Sequence, residues 1–254
     1  MKGPGRAVAA TLWRYMPVVL LCCAWEVASR SGLISSDTLP TPSAVAQAWL
    51  GLLRSGDLVS NGTASLIVLS EGLLLSVTVG IALGVAMARI PLVEDILGPL
   101  VKTLYPIPKS ALIPIMIIWF GLGATSKVAS IFLGCLLPIV TSTFYGVKGV
   151  ERTLIWSARA LGAKPASVTW GVLLPAAMAD ILAGIRNAIA IGFILLVSSE
   201  LLIGQTGIGF LISFLGEAGS YAGMLAAILT ISAAGFFADR AFVLLSRRVL
   251  VWRG

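Results

Sequence analysis

Long apolar stretches separated by short polar ones fill almost the whole chain. Residues 17–29, about 64–88, 92–121, 128–147, 176–198 and 222–245 are dominated by Leu, Ile, Val and Ala. Most approach the roughly 20 residues that carry a helix across a bilayer. The pattern predicts six membrane-spanning helices. Residues 30–60 are more polar, and Thr41-Pro42-Ser43 reads as a helix start with Pro42 near the first helical position. Val45, Ala48, Trp49 and Leu52 then recur at helical spacing. They predict a short amphipathic helix on the membrane surface.

The third apolar stretch is interrupted by YPIPKSALIP. Pro106, Pro108 and Pro114 each remove a backbone donor, so they do not share one regular helix. At membrane depth such backbone survives only against protein or a water-lined cavity. Pro108, Lys109 and Ser110 are therefore candidates for a translocation pathway. The other reading of Lys109 is a side chain that snorkels or caps a helix end. Arg186 in the fifth stretch has the same two readings: a pathway cation, or a partner of Asp180 or of a backbone carbonyl. Glu71, inside the second stretch, is expected to face protein.

Composition agrees with the pattern. The chain has 254 residues, 58% of them hydrophobic and only 11% charged, against about 25% charged in soluble domains. An all-α integral membrane protein is expected. The net charge of +7 belongs to membrane-flanking loops rather than to a nucleic-acid partner. Histidine is absent, and Cys22, Cys23 and Cys135 lie in apolar runs without metal-ligand spacing. With no P-loop, no HExxH motif and no Ser/His/Asp set, neither an enzyme nor a metal site is expected. A cleaved signal peptide would explain Lys2, Arg6 and Arg14 before the first apolar run. Glu26 beside Trp25 fits a cleaved segment poorly, so a retained first helix is expected.

Cations fix an orientation. Lys2, Arg6, Arg14, Arg89, Lys148, Arg152, Arg159, Lys164, Arg240, Arg247, Arg248 and Arg253 fall on one side of the six spans. The other side has only Arg30, Arg54 and Lys127. Both termini and the loop between the fourth and fifth spans are thus expected in the cytoplasm.

That loop reads SARALGAKPASVTWGVLLP, residues 157–175. Thr153–Leu161 has helical composition, Gly162 suits the left-handed position past a helix end, and Pro165 suits the start of a second helix. Ala158 and Gly162 are four apart, so a bare face open to another protein is expected, with Arg159 and Lys164 beside it for carboxylates. From the residues alone, an ordinary short loop accounts for the stretch equally well.

The stretch also resembles the cytoplasmic signature of binding-protein-dependent ABC importer permeases, with Ala158, Gly162, Val172, Leu174 and Pro175 in register. It departs at Trp156, where Glu is usual, and at Ser157, where Ala is usual. LPTPSAVAQAW, IPKSALIPIMIIWFGLG and SELLIGQTGIGFLI are similar to the entry helix, broken third span and external Gly-rich segment of the nitrate/sulfonate/taurine branch. The resemblance runs from about residue 38 to 248 and implies the type I importer fold. It implies an N-terminal helix and external amphipathic helix over 1–62, a permease core over 63–248 with a coupling loop at 151–172, and a tail over 249–254.

It further implies a second permease copy, two cytoplasmic ATPase subunits and an external solute-binding protein, in a bacterial cytoplasmic (inner) membrane. ATP and Mg would sit on the ATPase, with no cofactor on this chain. Ser157, Ala158, Arg159, Ala160, Leu161, Gly162, Ala163, Lys164, Pro165 and Pro175 would form the ATPase-coupling element. Glu200, Gly204, Gly207 and Gly209 would form the external segment, with Glu200 structural. The branch's cargoes imply a small solute of the sulfonate, taurine, nitrate, bicarbonate or pyrimidine kind, and Lys109 and Arg186 would suit an anion. An ion-gradient carrier is the rival reading. Such carriers often show internal repeats and intramembrane acids or histidines, and here histidine is absent and no repeat is evident. A purely structural subunit is a second rival.

Overall fold

Helix boundaries in this chain follow local chemistry closely. The computed structural model describes residues 4–31 and 39–253. Lys2 and the side chains of Arg6, Arg14 and Arg253, which entered the charge count, lie outside that description. Helix α1 is Pro4–Arg30, and α2 is Pro42–Arg54 with Pro42 in its first turn. The hydroxyl of Thr41 caps α2 by accepting from the Ala44 amide at 3.2 Å. Gly56, at φ 84°, turns the chain into α3, Asp57–Arg89.

Helix α4, Pro91–Leu104, stops before Pro106 and Pro108. A 3₁₀ turn over Lys109–Leu112 then leads into α5, Ile113–Phe120, with Pro114 in its first turn. The two arms of this broken span meet at 97°. The prolines fall where a missing amide costs least, in the break and in a first turn. After α6, Ala124–Lys148, come two short helices, α7 over Arg152–Ala160 and α8 over Pro165–Val168. A π turn over Thr169–Leu173 joins α8 to α9, Leu174–Ile203. Helices α10, Ile208–Glu217, and α11, Tyr221–Val249, complete the bundle.

Among the described residues four helices are long and apolar enough to cross a membrane, and the bent pair adds a fifth. The sixth expected span is α1, whose 27 residues measure about 40 Å; its crossing rests on the sequence pattern. Residues 165–202 run on as one helix of 38 residues, about 57 Å long. That exceeds a hydrocarbon core of about 30 Å, so part of the helix extends beyond the core. Its first turns lie at the end where Arg89, Lys148, Arg152, Arg247 and Arg248 sit, called here the basic end.

Helix α6 is the central post, packed against α3 on one side and α9 on the other. Glycine notches make both contacts close. A Cβ on Gly84 would lie 2.8 Å from the Val140 carbonyl oxygen, and one on Gly184 would lie 2.6 Å from the Ser142 Cβ. Between the notches, Leu69, Ile131, Cys135, Ile139, Ala188 and Leu195 form one buried core. Without a hydrophobic drive between helices in lipid, small residues and close dispersion contacts hold the three together. The α6-facing stripe of α3 is Gly72, Ser76, Gly80 and Gly84, and Glu71 stands exposed on the opposite side.

Candidate functional site

The loop at the basic end is a closed helical hairpin. The Gly162 amide donates to the Arg159 carbonyl at 2.9 Å, and the Ala163 amide to the Ala158 carbonyl at 3.0 Å. These are the two bonds of a Schellman stop, and Gly162 takes the left-handed conformation at φ 83°. Pro165 starts α8 as the sequence predicts. Ile155, Ala158 and Ala163 pack inward on a small core of Val147, Val168, Leu173, Ala177 and Ile181 at the root of α9.

The predicted bare face is therefore corrected. Helix α7 ends at Ala160, so Gly162 lies past its end rather than on its face, and Ala158 is spent on internal packing. What the hairpin presents outward is apolar and basic. Leu161 at the bend is 88% exposed and Trp156 is 60% exposed, beside Arg159 and Lys164. Ser157, Ala160 and Pro165 are exposed as well, while Pro175 is half-buried in the first turn of α9.

The Gly-rich segment at the far end is tied down by buried polar groups. Glu200 is 1% exposed. Its carboxylate accepts from the Ser65 hydroxyl at 2.7 Å and from the Gly209 amide at 2.9 Å. Ser65 Oγ in turn accepts from the Ile208 amide at 2.8 Å, and Asn61 Oδ1 from the Gly207 amide at 2.9 Å. Lys127, 3% exposed, donates to the Thr206 carbonyl at 2.8 Å. The turn over residues 204–207 is thus fastened to α3, α6 and α9 together. Gly207 and Gly209 are required by contact, since a Cβ on either would strike Glu200, at 2.1 Å and 2.6 Å. Gly204 has no such neighbour within 3.5 Å.

Glu200 and the glycines were legible as a unit in SELLIGQTGIG. Asn61, Ser65 and Lys127 were not, because each is far away in sequence: Ser65 is 135 residues from Glu200, and Lys127 is 79 from Thr206. A single sequence carries no signal for such pairs.

The broken span places Lys109 against the α6 backbone, its Cβ lying 3.5 Å from where a Cβ on Gly134 would be. Its ammonium donates to the Tyr105 carbonyl and lies 5.1 Å from the centre of the Tyr105 ring. Pro108 and Ser110 beside it are exposed. Arg186 does not join them. It forms a two-pronged pair with Asp239 of α11, at 2.6 Å and 2.9 Å, in place of the expected Asp180 or carbonyl. Asp180 instead abuts Gly146 of α6. The Arg186–Asp239 pair is half-exposed and joins α9 to α11. Arg186→Ala is expected to lower the melting temperature in detergent, and adding Asp239→Ala to restore part of it. Lost uptake at an unchanged melting temperature would mark Arg186 as a pathway residue instead.

A cavity of about 980 Å³ opens between α4, α6 and α9 near the basic end. Its wall carries Asp95, Lys102 and Tyr105 from α4, Lys148 from α6 and Asp180 from α9. Lys148 is paired with Glu94 across this space. The sequence held a trace of it, since Asp95, Gly98, Lys102 and Tyr105 recur at helical spacing on one face of α4.

A family model described as binding-protein-dependent transport system inner membrane component matches residues 76–251. The chain belongs to that family. The taurine transport system permease protein of Escherichia coli K12 is 36% identical over 241 residues, 93% of this chain and 87% of that protein. A Bacillus subtilis (strain 168) permease named for aliphatic sulfonates transport is 31% identical over 252 residues, 99% of this chain and 91% of that protein. The fold matches a chain of the MetNI methionine ABC transporter in an inward-facing conformation. That match has a TM-score of 0.60 at 20% identity and covers 73% of this chain and 92% of the other. The permease is therefore an all-α membrane transport component of the importer type. The matched span starts inside α3 and takes in the broken span, the basic-end hairpin and the glycine clamp, but not α1 or α2.

Proposed function

We propose that this permease forms half of the translocation pathway of an ATP-driven importer for small sulfonates, working as a pair of copies. Two cytoplasmic ATPases, carrying ATP and Mg, drive the pair, and an external protein delivers the solute. The observation that carries the reading is the basic-end hairpin. Its Schellman stop holds Leu161 and Trp156 out in the open, on an element rooted in α9. A partner that grips the hairpin moves α9 as a lever, and α9 carries both the cavity wall and the glycine clamp. ATP then acts through contacts that differ between two states of one assembly. The placement of cations supports an orientation with the hairpin and both termini in the cytoplasm of a bacterial inner membrane.

The sulfonate class rests on the relatives named for taurine and aliphatic sulfonates. The Lys102 ammonium on the cavity wall agrees with it, because a cation there attracts an anion without fully desolvating it. The test is uptake of radiolabelled sulfonates into proteoliposomes holding the permease, the neighbouring ATPase and the neighbouring binding protein. Uptake should require ATP inside a vesicle whose ATPase faces the lumen. Uptake driven by an ion gradient without the ATPase would replace this reading with a carrier. In the same assay Lys109→Ala should lower uptake severalfold with the complex still assembled, and unchanged kinetics would remove Lys109 from the pathway.

A further inference from the structure

A second cavity lies where lipid, not solute, is the surrounding solvent. It measures about 500 Å³ and is formed by Cys22 and Trp25 of α1, Val45 and Trp49 of α2, and Leu229 and Thr230 of α11, among others. We propose that this groove holds one acyl chain of a phospholipid from the bilayer leaflet at the far end, as a bound lipid rather than part of the fluid surround.

Three observations argue for a lipid. First, the lining is almost wholly apolar. Its main polar groups, the Trp49 indole and the Thr230 hydroxyl, are bonded to each other at 3.0 Å, leaving a dry floor. Such a groove offers a solute no polar grip. Second, its depth is right. The amphipathic pattern of α2 suits the membrane surface, and the α11 wall runs from Ala226 to Ala233. Those seven steps are roughly 10 Å, within the roughly 15 Å hydrocarbon half of a bilayer. The flanks are exposed aliphatic side chains, Leu20 and Leu21 of α1 and Leu229 of α11.

Third, the rim has headgroup chemistry. One turn beyond Trp25, Arg30 is held by Glu26 at 2.6 Å and remains 68% exposed, and Ser43 of α2 donates to the same carboxylate at 2.9 Å. An exposed guanidinium at this level suits a lipid phosphate. The Trp25 indole N–H is buried and has no acceptor among the described residues. Indoles at the bilayer interface place their N–H at headgroup level. A small rotation of this ring meets the ester carbonyl of a chain seated beside it. The seated lipid would tie α1 to the directly packed pair of α2 and α11.

The test does not depend on transport, so it stands or falls apart from the importer reading. The purified permease, titrated with 1-palmitoyl-2-oleoyl phosphatidylglycerol or phosphatidylethanolamine, is examined by native mass spectrometry. One lipid per chain should persist at activation energies that strip the rest. Ala233→Trp, which fills the groove from an exposed position, should abolish that retention, while Ser232→Trp on the neighbouring exposed surface should preserve it. Trp25→Phe keeps an aromatic ring, though a smaller one, and removes the donor, and should weaken retention about fivefold. Equal retention by the wild type and Ala233→Trp overturns the proposal. So does a crosslink between the Cys22 residues of two copies in the assembled complex, which would show the groove closed by protein.

Discussion

Gly162→Val is expected to cut ATP-driven uptake at least tenfold while the protein still inserts and purifies at the wild-type level. No atom lies within 4 Å of the Cβ this change would add, so nothing is overpacked. The cost is in the backbone. Gly162 sits at φ 83°, where a β-branched residue loses roughly 1–2 kcal/mol or more. A hairpin that closes through two backbone bonds at that residue then holds its bend roughly 5–30 times less well. Gly162→Asn separates conformation from bulk. Asparagine tolerates the left-handed region, so it should keep most of the uptake. Were Asn as inactive as Val, the partner would need a bare surface at the bend. If both transported normally, the hairpin would not couple ATP to transport. Substrate-stimulated ATP hydrolysis, measured in the same vesicles, should fall with uptake in Gly162→Val.

Gly207→Ala is expected to destabilise the permease by more than about 3 kcal/mol, among the largest effects a single methyl can have. The added Cβ would sit 2.1 Å from Glu200 Oε1, at a backbone φ of 114°. The carboxylate is buried and already accepts from Ser65 and Gly209. Moving it aside strands those donors in a place without water, at about 1–3 kcal/mol each. The checks are a thermal melt in detergent and the yield of folded protein. Gly204→Ala, three residues earlier in the same turn, is the control. Its new methyl would find only the Phe210 ring, at 3.7 Å, so only the backbone at φ 17° resists it, and its loss should stay well below that of Gly207→Ala. Similar losses at both positions would mean that the turn, rather than the Glu200 contact, sets the stability.

The two substitutions probe opposite ends of one helix. Residues 165–202 run as one helix, through the π turn at Thr169–Leu173, from the hairpin to the glycine clamp, so a pull at Gly162 would be carried along α9 toward Glu200. Between them α9 contributes Asp180 and Ala183 to the cavity near the basic end. A rigid rod with a handle at one end, a cavity wall in the middle and an anchored turn at the far end can convert a cytoplasmic movement into a change of access.

Much of this was written in the sequence in terms that one chain can express. Apolar run length determined the spans, and YPIPKSALIP determined the break, because proline acts on its own residue and its neighbours. Gly162 and Pro165 determined the bend by the same local logic, and cation placement distinguished the two ends of the bundle. The tertiary structure decided everything that depends on which faces meet. It turned Ala158 inward, paired Arg186 with Asp239 rather than Asp180, and exposed Glu71. It brought Asn61, Ser65 and Lys127 around the glycine turn from three separate elements. Helical periodicity says that a residue lies on a stripe, but the partner of that stripe is set by packing. Packing here is governed by glycine notches that let α3 and α9 close on α6.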